Sequence, residues 1–197
     1  MSLLFETIRV EGGKFCHLEE HQLRMDRSRR TLFSSTDTIL LFQHLTIPAG
    51  LGVEIFKCRV TYGKRIENVE FLPYQRREIR SLSLVECDSI EYGHKFLDRT
   101  AFEELLKKAT GDEILIVKNG LITDTSFSNI AFLDGKKWLT PSSPLLAGTA
   151  RARLLKSGLI AAEEIRRSDL KRFKKAALLN AMIGFDESHA IDMRNIG

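Results

Sequence analysis

The sequence lacks the marks of several large protein classes. It has no apolar run of the roughly 20 residues that a membrane-crossing helix needs, and its start shows no basic-then-apolar leader. The default that follows is a soluble, cytoplasmic protein with no membrane partner. Cysteine is scarce: Cys16, Cys58 and Cys87 are an odd number without metal-ligand spacing, which argues against a disulfide scaffold and for reduced thiols. The five histidines form no recognisable metal cluster, so no metal is expected. Low-complexity tails, internal repeats and the aromatic-basic motifs of nucleic-acid binders are also missing. The charge excess is mild, 30 Lys and Arg against 26 Asp and Glu for a net +4, which suits an anionic small molecule better than a nucleic acid.

What is present is apolar content of 43% in 197 residues, enough for one large or two small cores. A linker-like Pro73-Tyr74-Gln75 followed by Arg76 and Arg77 divides the chain into 1–76 and 77–197. The first part reads as strand, turn at Gly12-Gly13, strand, and a helix over about 18–32. A short helix over about 38–45 follows, then strands at 53–59 and 68–72 around a Gly63 turn. The second part reads as strands at 113–117 and 130–133 with hairpin turns at Asn119-Gly120 and Asp134-Gly135. Helices are predicted over about 100–108 and 150–156, and late strands near 176–179 and 190–191.

Three places carry chemistry. Residues 122–129, Ile-Thr-Asp-Thr-Ser-Phe-Ser-Asn, put an acid and small polar groups in a loop of a predicted β-meander, where polar groups need partners or ligands. Gly148-Thr149-Ala150 open a helix, and free N–H groups at a helix start suit either a phosphate or simple capping. Lys95 ends a turn beside apolar residues, a setting for a carbonyl-directed nucleophile or for one more solvated lysine. In the helix over 18–32, Arg27, Arg29 and Arg30 read as a solvated basic face.

These segments occur in an order that resembles the fold-type IV pyridoxal-phosphate enzymes, the class IV aminotransferases, with the aminodeoxychorismate lyases most similar in wording. The matching pieces are His21-x-x-Arg24, Lys95-Phe-Leu-Asp-Arg99, Thr123-Asp124 through Asn129-Ile130, and Gly148-Thr-Ala-Arg151. The resemblance runs from Phe5 to about Ile183; no single motif is specific, and the ordered set is. It implies an α+β, two-domain fold like that of D-amino-acid aminotransferase, a small N-terminal α/β domain and a β-rich C-terminal domain with helices, with the cofactor in the cleft between them.

The resemblance also implies roles. Lys95 forms the Schiff base with pyridoxal 5'-phosphate and is the catalytic residue. Arg24 contacts the cofactor phosphate through a planar guanidinium that suits a dianion. Gly148, Thr149 and Ala150 form the phosphate cup, which the Arg151 position completes. Asp124 holds the pyridine nitrogen protonated. The family mostly has glutamate there, and the shorter aspartate implies a longer contact or a deeper-seated cofactor. Ser126, Ser128 and Asn129 read equally as donors around the ring or as ordinary turn residues. Arg59, on an alternating strand, reads as a cleft cation for a carboxylate substrate or as an exposed strand arginine.

The expected activity is a lyase step on 4-amino-4-deoxychorismate giving 4-aminobenzoate and pyruvate for folate synthesis. The alternatives are a branched-chain or D-amino acid aminotransferase, and a shortened, non-catalytic relative. Family members are usually longer, and here the chain opens almost directly at Phe5. The resemblance therefore implies that a hairpin lining the substrate pocket is missing. It also implies a homodimer.

Overall fold

A computed structural model describes residues 2–197. The chain forms two compact units, residues 2–76 with His94–Asp98, and Arg77–Gly93 with Arg99–Gly197. Lys95 thus packs with the first unit, although it lies beyond the 76/77 boundary read from the sequence.

The first unit is an antiparallel sheet on a helix. Strands β1 (Leu4–Glu11), β2 (Lys14–Phe15), β3 (Phe56–Tyr62) and β4 (Ile66–Pro73) stand in the order β2-β1-β3-β4. Helix α1 (Leu18–Phe33) and the short α2 (Leu41–His44) complete it. The first connection turns at Gly12 and Gly13, both at positive φ, where glycine has no Cβ penalty. Alternation on β1 sends Leu4, Glu6, Ile8 and Val10 inward; the apolar three join Met25, Leu41, Cys58, Val60 and Tyr62 in the core.

Strand β2 pairs only with the Val10 and Glu11 end of β1. Residues 95–97 take the edge at the other end: Phe5 N donates to Lys95 O at 3.0 Å, Leu97 N donates to Leu3 O at 2.8 Å, and Leu4 pairs antiparallel with Phe96. Side chains of paired residues share a face, so Phe96 joins Leu4 on the core side. Lys95 is then directed to the opposite face with Phe5, and its Nζ lies 4.4 Å from the Phe5 ring centroid.

The second unit packs two sheets with two helices. Strands β5 (Leu82–Glu86), β6 (Glu113–Lys118) and β7 (Leu121–Thr125) form one sheet, with β5 parallel to β6. Helix α3 (Thr100–Leu106) connects into it. Strands β8 (Asn129–Asp134), β9 (Lys137–Pro141), β10 (Ala161–Glu163), β11 (Lys175–Leu179) and β12 (Ile191–Asp192) form the other, in the order β10-β9-β8-β11-β12. One face of this sheet meets Leu115, Val117 and Ile122 of the first through Ile130 and Phe132; the other places Ala131, Trp138, Ala177 and Leu179 against Leu154 of helix α4 (Thr149–Lys156).

The predicted meander is therefore corrected, because β7 and β8 belong to different sheets. The polar stretch is not all loop either: β7 runs through Asp124 to Thr125, and the chain turns only over residues 126–128. Two β-branched threonines favour the strand, and their hydroxyls are satisfied locally. Thr123 Oγ1 donates to Ile116 O at 2.9 Å, and Thr125 Oγ1 donates to Ser128 O at 3.1 Å. A second correction concerns α1: Arg27 and Arg30 are exposed, but Arg29 is buried, clamping Asp37 and the Lys64 carbonyl.

Candidate active site

Each unit carries one buried polar group of the predicted residues. In the first, α1 presents His21, Arg24, Met25 and Ser28 to the sheet at the 3–4 residue spacing of one helical face. Glu6, pointing inward from β1, meets this face with no solvent exposure. Arg24 Nε donates to Glu6 Oε1 at 2.9 Å, Arg24 Nη2 pairs with Glu6 Oε2, and His21 Nδ1 lies 2.6 Å from Oε2. Burial alone would push the Glu6 carboxyl up, but Arg24 and His21 reverse this and hold it at about 2. Burial lowers the His21 pKa against the pull of Glu6, with Arg24 and Lys95 adding to the lowering. A neutral His21 donating from Nδ1 fits that balance. Behind them, Tyr62 has its ionisation pushed up by burial, and Ser28 Oγ sits 3.0 Å from His94 Nδ1.

The outward face of the same sheet is polar. Lys95 and Arg59 both lie over the Phe5 ring, Arg59 Cζ at 5.4 Å from its centroid. Arg59 Nη1 also stands 3.6 Å from Glu70 Oε1.

In the second unit Asp124 is the centre. Its Oδ1 accepts from Asn129 Nδ2 at 2.7 Å and its Oδ2 from Leu146 N at 2.9 Å. Burial nevertheless dominates and raises its carboxyl to about 6, opposed by those bonds and by Arg151. Asn129 Nδ2 is shared with Leu146 O at 2.9 Å, so one amide ties β7, β8 and the loop before α4 together. The same loop needs Gly148: a Cβ there would stand 2.0 Å from Asn129 Oδ1. Helix α4 starts without a side-chain cap, with Thr149 and Ala150 buried at its first turn. Arg151 turns back to β9, donating to Thr140 Oγ1 at 3.3 Å and Pro141 O at 2.7 Å.

The corner over 126–128 is held from several sides. Glu113 Oε1 accepts from Ser126 N at 3.2 Å, Arg99 donates to Ser126 O, and Asn180 Nδ2 donates to Ser128 Oγ at 2.8 Å. Sequence reasoning missed Glu6, Glu113 and Asn180 as supports. The signal for Glu6 was a carboxylate set inside an otherwise apolar strand pattern.

Comparison with known proteins decides what this set belongs to. The sequence pattern of the class IV amino-transferases matches residues 3–186. The chain belongs to the class IV amino-transferase family. A protein of Haemophilus influenzae is 38% identical over 184 residues, 92% of this chain and 98% of its own length. The crystal structure of a "putative 4-amino-4-deoxychorismate lyase" from Haemophilus somnus 129pt superimposes with a TM-score of 0.85 at 34% identity. That match covers 93% of this chain and 98% of the other. A hypothetical aminotransferase from Mycobacterium tuberculosis in its PLP-bound form shares the fold, with a TM-score of 0.80 at 18% identity over 96% of this chain and 80% of its own.

This class IV member is accordingly a pyridoxal-phosphate-dependent enzyme, lyase or aminotransferase, acting on small amino or keto substrates. Its α+β architecture is the fold-type IV one expected from the motifs. The donor set fits the cofactor. A buried carboxylate near its titration point suits a ring nitrogen that carries a proton, and an uncapped helix start with buried small residues suits a phosphate. Among the described residues no helix is long and apolar enough to cross a membrane, and no group of His, Cys, Asp and Glu could hold a metal.

Proposed function

We propose that the protein is a lyase that converts 4-amino-4-deoxychorismate to 4-aminobenzoate and pyruvate, a step of folate synthesis. The observation that carries this reading is the likeness to the Haemophilus somnus protein of that description, at 34% identity and over 98% of that chain. A "putative aminodeoxychorismate lyase" of Schizosaccharomyces pombe, 26% identical over 91% of this chain, supports it.

Bound pyridoxal phosphate supplies an electron sink for the bond changes at the substrate carbon that carries the amine. The side chains do the rest. Lys95 Nζ would hold the cofactor and, once free as an amine, would take the proton from that carbon. Loss of that proton and cleavage of the ring C–O bond, its electron pair leaving on the enolpyruvyl oxygen, give an aromatic ring, and the enolate released takes up a proton at its methylene carbon to become pyruvate. Asp124 holds the proton of the ring nitrogen, and Asn129 with Leu146 N fixes its carboxylate. In the second unit the N–H groups at the start of α4, at Gly148, Thr149 and Ala150, would hold the phosphate; in the first, Arg24, oriented by Glu6, is a guanidinium suited to the same kind of anion. Ser126 and Ser128 keep the corner beside Asp124 in place. The working form is a cytoplasmic homodimer.

Incubation with aminodeoxychorismate and no added keto acid tests this. Release of pyruvate and 4-aminobenzoate in equal amounts is the expected outcome; turnover that depends on a keto acid would make the protein an aminotransferase instead.

A further inference from the structure

Side chains alternate along β7: Ile122 joins the core and Asp124 turns to Asn129 and Leu146, so Leu121 and Thr123 turn to the other face of the strand. That face carries a cavity of about 280 Å³, lined by Leu121 and Thr123 with Tyr92, Lys118, Pro144 and Leu145. All six belong to the second unit, and none has a part in the chemistry above.

Size limits the occupant. A cavity of about 150 Å³ holds benzene, so this one takes a single six-membered ring with its substituents. The walls are largely apolar, because Thr123 has already spent its hydroxyl on Ile116 O and the Tyr92 hydroxyl accepts from Arg99 Nη1 at 3.1 Å. The Tyr92 ring is itself set edge-on against Phe102, with centroids 4.7 Å apart.

Charge limits it further. Lys118 Nζ donates to Ile90 O at 2.7 Å and to Glu91 Oε1 at 2.6 Å, which leaves one of its three N–H donors. The Lys118 side chain is 21% exposed, whereas Glu91 is 85% exposed, and a pair so open to water holds its acid weakly. The positive charge is the part fixed in the wall, and it suits a carboxylate.

The loop over this cavity also reaches the opposite face of β7. Pro144 and Leu145 line the cavity, and the next residue, Leu146, donates its N–H to Asp124 Oδ2 at 2.9 Å. An occupant that presses on Leu145 therefore bears on a bond that aims the Asp124 carboxylate.

We propose that this cavity is a second binding site, for a small aromatic carboxylate, and that its occupant acts on the cofactor through the loop over 144–146. The ring lies among Tyr92, Leu121 and Leu145, the carboxylate meets Lys118, and Glu91 is displaced on entry. The binding half uses neither Lys95 nor the identity of the substrate; the coupling half rests on the placement of Asp124 against the cofactor ring.

Benzoate is the probe, and its affinity for the holoprotein is measured by calorimetry with the wild type, Lys118→Gln, Leu121→Trp and Glu91→Gln. Loss of the charged partner predicts a roughly tenfold or larger weakening in Lys118→Gln. Leu121→Trp fills the space and should abolish binding with Lys118 still in place. Glu91→Gln frees the ammonium and should tighten binding severalfold, which keeps the test informative if Leu121→Trp folds poorly. Benzoate that binds Lys118→Gln and Leu121→Trp as it binds the wild type sits elsewhere on the protein, and that result overturns the proposal. No binding to the wild type overturns it too.

Coupling is read from the absorbance band of the cofactor. Benzoate should shift that band in the wild type and leave it unmoved in Lys118→Gln at the same concentration, and removing the cofactor should change benzoate affinity by the factor with which benzoate changes cofactor affinity. An unmoved band in the saturated wild type overturns the link to Asp124. No turnover enters these measurements, so they stand whichever activity the lyase assay returns.

Discussion

Asp124 and Asn129 lie on strands of two different sheets, and a 2.7 Å hydrogen bond from Asn129 Nδ2 to Asp124 Oδ1 closes the corner between them. With Leu146 N on the other oxygen, the carboxylate is fixed in direction while burial holds its pKa near 6. A buried carboxylate that is hard to ionise without a cationic neighbour is suited to partner one.

Asp124→Ala should therefore keep the cofactor adduct on Lys95 and lose most of the rate, by roughly a hundredfold or more, as expected when a buried charge partner of the reacting system is removed. Stopped-turnover assays beside absorbance spectra separate the two effects. In the protein stripped of cofactor the sign reverses. Because the folded-state pKa is raised from 3.8 to about 6, the contribution of Asp124 to stability is full below pH 4 and lost as pH rises to about 6. At about 1.4 kcal/mol per unit that is about 3 kcal/mol. Urea melts of the stripped wild type against Asp124→Ala between pH 4 and 7 should show the gap moving in favour of the variant as pH rises.

Glu6 behaves in the opposite sense. Its pKa is lowered from 4.5 to about 2, so its contribution is present above pH 4.5 and is lost as pH falls toward 2. Glu6→Gln leaves the buried Arg24 guanidinium without its carboxylate and should cost about 3–5 kcal/mol at pH 7, with a smaller gap at pH 3. Denaturant midpoints at both pH values measure it. Weaker cofactor retention in the same variant would accompany the loss if Glu6 orients Arg24.

Gly148 is constrained by space rather than by backbone angle, since its φ of -71° suits any residue. Gly148→Ala must drive Asn129 away from Asp124 and Leu146, and should lower cofactor affinity by tenfold or more at a cost of about 1–3 kcal/mol in stability. Asn129→Ala relieves that clash, so the double variant should be less damaged than the two single effects added together. A double-mutant cycle on thermal melting and cofactor titration reads this coupling directly.

Much of this was legible from residue pattern. The helix at Leu18–Phe33, the hairpin glycines and the strands around 113–118 and 129–134 follow from period and turn chemistry. Other features were not legible, for physical reasons. Strand β7 hides in a polar string because Thr123, Asp124 and Thr125 find their partners in the fold, so polarity misreported exposure. The split of β7 and β8 between sheets depends on the hydrogen bonds of the 126–128 corner, which reach back to Glu113 and on to Asn180. Arg29 looked like its solvated neighbours, because one turn of basic residues does not tell which of them has Asp37 opposite. Glu6 sat on the inward phase of β1, where alternation alone called for an apolar residue.

The most direct measurement is chemical. The purified protein is incubated with pyridoxal phosphate, reduced with borohydride and digested, and the modified peptide is sequenced by mass spectrometry. A pyridoxyl group on Lys95, absent in Lys95→Ala along with colour and activity, is the predicted result. A protein that carries no adduct, or carries it on another lysine, would contradict the assignment of Lys95 and the chemistry built on it.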